Sequence, residues 1–136
     1  MKKSKIVVLY LILILVPISV FAQKSDNEKL FNKWKDSTAS TKERLESFYE
    51  LVYFDLEVLD FSASKDTLAI WYKEIDKVID LAKSTQNESF LPRFLLFQIL
   101  YQAMVLQNKD LACANMTSAM DKAIEFNDYT SQLSEF

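Results

Sequence analysis

The stretch IDKVIDLA at residues 75–82 returns, slightly altered, as MDKAIEFN at residues 120–127. In the first copy Ile75, Val78, Ile79 and Ala82 stand at i, i+3, i+4 and i+7, with Asp76, Lys77 and Asp80 between them. That spacing follows the 3.6-residue turn of a helix and would scatter over both faces of a strand. Met120, Ala123 and Ile124 keep the pattern in the second copy. Further apolar stripes run through 45, 48, 49, 52, 56 and 59, through 90, 94, 97, 101 and 104, and through 112, 116, 119, 123 and 126. The chain holds no glycine and, beyond residue 22, one proline, Pro92. Strand-rich folds draw their tight turns from those residues, so composition and periodicity together predict an all-α fold.

The spacing predicts helices over 26–35, 41–61, 65–84, 90–107 and 111–126. Ser25 with Glu28 and Ser40 with Glu43 have the capping-box spacing. Ser64 or Asp66, Ser89 and Asp110 are the expected caps of the later helices, with Pro92 tolerated in a first turn. Without glycine, Asn87, Asn108 and Asn127 are expected to take the left-handed position after each stripe.

Setting 47–83 against 92–128 pairs Leu51 with Leu96, Ala69 with Ala114, Asp76 with Asp121, Lys77 with Lys122 and Ile79 with Ile124. Each half then reads as an antiparallel helical hairpin, over about 41–84 and 90–126. The second helix of each is rich in small residues, with Ala69, Ala82, Ala112, Ala114, Ala119 and Ala123 allowing close approach. The expected architecture is two hairpins stacked as a short repeat; an irregular helical bundle is the alternative.

The endings Asp76-Lys77-Val78-Ile79-Asp80 and Asp121-Lys122-Ala123-Ile124-Glu125 resemble the second helix of tetratricopeptide repeats. The period here is 45 residues against the usual 34, and the familiar glycine of the first helix is missing. The lead-in LFNKWKDSTASTKERLESFYELVY at 30–53 resembles the start of the exported repeat region of Bacteroidota tetratricopeptide signalling proteins. Trp34, Asp36, Arg44 and Leu45 stand at the matching positions. In that family the repeats precede a membrane span and a cytoplasmic output domain, so the resemblance implies a sensor-type module that binds a protein or peptide.

Residues 1–22 have the layout of a secretory signal: Lys2, Lys3 and Lys5, an apolar run from Ile6 to Val16, then Pro17 and Val20-Phe21-Ala22. Cleavage would leave 23–136 as one exported, periplasmic or secreted domain without a membrane segment; an uncleaved anchor is the alternative. Loss of the three leader lysines moves the formal net charge from −3 to −6. So acidic a domain is badly matched to nucleic acid, whose backbone would repel it. The lone Cys113 has no internal disulfide partner and reads as a small buried hydrophobe, with an intermolecular disulfide as the alternative.

With no histidine, the usual general base and metal ligand is missing, and with no glycine there is no phosphate-cradling loop. No cofactor or metal site and no catalytic residue is expected, and Glu43, Glu46, Glu50 and Glu57 read as a solvated flank. The chain thus reads as a non-catalytic module for a protein or peptide partner. The alternatives are a small helical enzyme using carboxylates and a structural, self-associating helical protein. Most aromatics fall on the core stripes, but Tyr53 and its register partner Gln98 lie off them, as do Glu57 and Gln102 one turn later. These four are the candidate lining of a partner groove.

Overall fold

A computed structural model describes residues 26–55, 60–61 and 63–126. The leader at 1–22, the Ser25 cap, Glu57, Asn127 and the tail from Tyr129 lie outside the described residues. Those described are mostly helical, an all-α fold carrying one small two-stranded ribbon. Helix α1 covers 26–35. It is followed by α2 (Thr41–Leu51), β1 (Phe54–Asp55), β2 (Asp60–Phe61), α3 (Lys65–Tyr72) and α4 (Ile75–Ser84). A 3-10 turn at Glu88–Phe90 leads into α5 (Leu91–Leu100), which passes into a π turn at Tyr101–Val105 before α6 (Lys109–Glu125).

Local chemistry explains most of these boundaries. The Ser40–Glu43 capping box forms in full: the Ser40 hydroxyl accepts the Glu43 N–H, and the Glu43 carboxylate accepts the Ser40 N–H. Ser64 caps α3 by accepting the Thr67 N–H. At α6 the cap is Asn108, whose side chain accepts the Leu111 N–H, and not Asp110, which lies inside the first turn. Ser89 falls within the 3-10 turn and does not cap α5. The left-handed positions are held by Gln86 (φ 58) and Gln107 (φ 54), each one residue before the expected asparagine. Asn87 instead donates its N–H to Ala82 O, while Gln86 donates to Lys83 O, closing a Schellman turn.

Two of the expected helices are interrupted. The 41–61 segment stops at Leu51, where Val52, Tyr53 and Phe54 bring β-branched and aromatic residues that favour a pleated surface. Phe54 pairs with Phe61 across the ribbon, their rings 4.9 Å apart, and Phe61 meets Phe97 of α5 at 5.4 Å. The 65–84 segment bends at Lys73–Glu74, where the Glu74 N–H turns to Trp71 O.

Helix α5 forms the centre, packed against α6 on one side and α4 on the other, with α2 lying against α4. Trp34 of α1 meets Phe48 edge-on at 5.4 Å, and Phe48 meets Phe94 at 5.9 Å, so one aromatic chain runs from α1 to α5. Phe48 and Phe94 are fully buried, each contributing on the order of 1.5–3 kcal/mol by leaving water. Helix α6 approaches through Ala112, Ala119 and Ala123, all buried. Ala114 and Cys113 are exposed, because each sits about 100° or more around the helix from that stripe. The expectations of a close contact at Ala114 and a buried Cys113 are therefore corrected. Under the 45-residue register Leu51 and Leu96 are both buried, yet Ile79 is 6% exposed and Ile124 61%.

Candidate functional site

The bend between α3 and α4 turns Glu74 toward α1. Its Oε2 accepts from Trp34 Nε1 at 3.3 Å and Lys35 Nζ at 3.1 Å, and its Oε1 accepts from Lys77 Nζ at 3.2 Å. Only 13% of the Glu74 side chain stays exposed. Burial pushes its carboxyl up, but hydrogen bonds from Lys35, Lys77 and Trp34 together outweigh this and hold it below the ordinary glutamate value. The carboxylate therefore works as a charged clasp between α1 and the α3–α4 bend.

Beside the clasp, Arg44 of α2 lies with its Cζ 4.9 Å from the centre of the Trp34 ring and donates Nε–H to Trp34 O at 3.0 Å. Trp34, Lys35, Arg44, Glu74, Lys77 and Leu81 line an open cleft of about 220 Å³. Asp36, in the α1–α2 turn, is held below the usual carboxylate range chiefly by the Thr38 hydroxyl and N–H, with a smaller effect from Arg44. The cleft thus gathers three cations beside one carboxylate, which accepts three hydrogen bonds. Chemically, such a recess can hold an anionic group beside a small apolar wall.

Of the residues expected to line a groove, Tyr53 is set apart from Gln98 and Gln102. Tyr53 follows α2, 48% exposed, with the Arg93 guanidinium 5.3 Å from its ring and 3.5 Å over Tyr49. Gln98 donates Nε2–H to Asp76 Oδ1 at 3.2 Å. Gln102 is 2% exposed, donating to the Tyr72 hydroxyl at 2.9 Å and accepting from Asn115 Nδ2 at 3.1 Å. Gln98 and Gln102 thus share a polar seam joining α5 and its π turn to α3, α4 and α6. Arg93, beneath Tyr53, lies five residues from Gln98, about 140° around α5. Glu57 lies outside the described residues. On α2, Glu43 completes the cap and pairs with Lys33, and Glu46 lies 3.8 Å from Lys42.

The sequence points to Trp34 and Arg44 only through a resemblance, offers Lys77 only as part of the repeated Asp-Lys phrase, and gives no site signal at Lys35 or Leu81. The one local signal was the i, i+3 spacing of Glu74 and Lys77; the contact of Glu74 with α1 spans about 40 residues and leaves no periodic trace. Among the described residues no three or more cysteines or carboxylates gather as a metal cluster, and no helix is long and apolar enough to cross a membrane. In comparisons with protein-family models, curated proteins and solved structures, none matches this chain.

Proposed function

We propose that this chain is a non-catalytic, exported helical module that binds a protein or peptide. The observation that carries the reading is the Arg44–Trp34 stack beside the Glu74 clasp: a cation-rich recess whose guanidinium and indole are held in place before any partner arrives. Pre-ordered arginine and aromatic groups give up little conformational entropy on binding, which is why they concentrate binding energy at interfaces. The recess stands on three helices rather than on a loop, which also favours recognition by a preformed surface. The likeness of the 30–53 lead-in to exported sensor regions points the same way, and export through the 1–22 leader is part of the proposal.

The test is affinity capture from a native extract with the wild type and an Arg44→Gln/Lys77→Gln double variant whose fold is checked by circular dichroism. A partner held by the wild type and lost from the folded variant supports the reading. The same partners in equal amounts on both would refute it. Intact mass of the exported fraction should show loss of residues 1–22, and retention of Met1 in the membrane fraction would refute cleavage.

A further inference from the structure

We infer that the partner presents an acidic segment, with a glutamate or aspartate carboxylate seated between Arg44, Lys35 and Lys77; this rests on the binding reading above and specifies its chemistry. Four observations lead there. First, the cleft carries Lys35, Arg44 and Lys77 against the single carboxylate of Glu74, a local excess of positive charge in a chain whose formal charge is −3. Asp36, outside the cleft lining, offsets part of the Arg44 charge, while its Oδ1 accepts the Thr38 N–H at 2.9 Å and hydroxyl at 2.7 Å.

Second, the clasp does not exhaust the donors. Each ammonium carries three N–H groups and gives one to Glu74, leaving the others to face the cleft opening or solvent. Lys35 and Lys77 remain 49% and 67% exposed, so both can swing toward a ligand while Glu74 stays bound. Third, Arg44 spends Nε on Trp34 O and its face on the Trp34 ring, and makes no ion pair among the described residues. Its two Nη groups remain, a flat donor edge that suits the two oxygens of a carboxylate.

Fourth, the ligand's charge and size are bounded. With three cationic side chains set against Glu74, the recess favours an anionic group, and the two oxygens of a carboxylate can meet the Arg44 edge. A recess of about 220 Å³ admits one or two side chains, and Leu81 offers an apolar contact for the methylenes of a glutamate. A neutral peptide would leave the cationic donors without new partners and gain less from them.

The experiment uses the purified full chain and an end-capped hexaglutamate peptide, with hexaglutamine and inorganic phosphate as the other probes. Binding is followed by calorimetry and by the NMR shift of the Trp34 indole N–H against that of Trp71. The expected result is that hexaglutamate binds, weakens as salt rises, and moves the Trp34 resonance more than that of Trp71. Arg44→Gln should weaken binding by roughly tenfold to hundredfold. Lys77→Gln, at a mainly exposed side chain, should weaken it by about two- to fivefold. Equal binding of hexaglutamine, tighter binding of phosphate, or hexaglutamate affinity unchanged by Lys77→Gln with a still Trp34 resonance would each overturn the inference. The last criterion holds even if Arg44→Gln fails to fold. Absence of hexaglutamate binding overturns the acidic preference alone; the binding reading falls only if the native partner is captured equally by the cleft variant.

Discussion

Replacing Glu74 by glutamine keeps the shape of the clasp and removes its charge. The side chain is 13% exposed, while its lysine partners are 49% and 67% exposed, so each ion pair is screened at its cationic end. Each then contributes only about 0.2–1 kcal/mol. The Trp34 indole bond at 3.3 Å loses about 1 kcal/mol when its acceptor becomes neutral. Glutamine is also spared the cost of withdrawing a charge from water, which offsets part of that loss. The net expectation is a destabilisation of about 1 kcal/mol at neutral pH. The pH dependence is the sharper test. Because the folded carboxyl titrates below its ordinary value of 4.5, its stabilisation is present above that value and is lost as pH falls through the folded pKa. Urea denaturation midpoints of wild type and Glu74→Gln, compared from about pH 3 to 7, should therefore converge toward the acid end. A gap that stays constant over the whole range would show that the charge is not what holds the clasp. A variant more stable at neutral pH would show that desolvation outweighs the lysines.

Two further outcomes test the packing and the turns. Ala119→Leu should overpack the α5–α6 contact by roughly 1–3 kcal/mol, whereas Ala114→Leu on the exposed side should stay within about 0.5 kcal/mol; equal thermal midpoints would contradict that face assignment. Gln86→Gly should raise stability by about 0.5–1 kcal/mol, since glycine at φ 58 avoids the left-handed penalty but loses more unfolded-state entropy. A lower midpoint in chemical denaturation would mean that the glutamine side chain stabilises that turn in its own right.

What could be read from the sequence was what acts within one turn of helix. The Ser40–Glu43 box, the Ser64 cap and the 75–82 stripe depend on neighbours three or four residues away, and periodicity reports those directly. Several of the differences arise where the period itself changes. A 3.6-residue period puts residues 101 and 104 on one core stripe, but the π turn inserts extra residues per revolution, so Tyr101 is buried while Met104 is 48% exposed. The same shift carries Gln102 inward, where Tyr72 and Asn115 satisfy its amide. Val52-Tyr53-Phe54 could continue the stripe or begin a strand, and the Phe61 ring packed between Phe54 and Phe97 decides for the ribbon.

The cleft was least legible because it exists only where α1, α2 and the α3–α4 bend come together. Trp34 joins all three roles: its ring packs on Phe48, its indole N–H binds Glu74, and its carbonyl and face hold Arg44. The contacts that dock α1 are therefore the same ones that pre-order the arginine. Stability of the clasp and readiness of the recess are coupled through one side chain. Loosening α1 should then cost the proposed binding even where no residue facing the partner has changed.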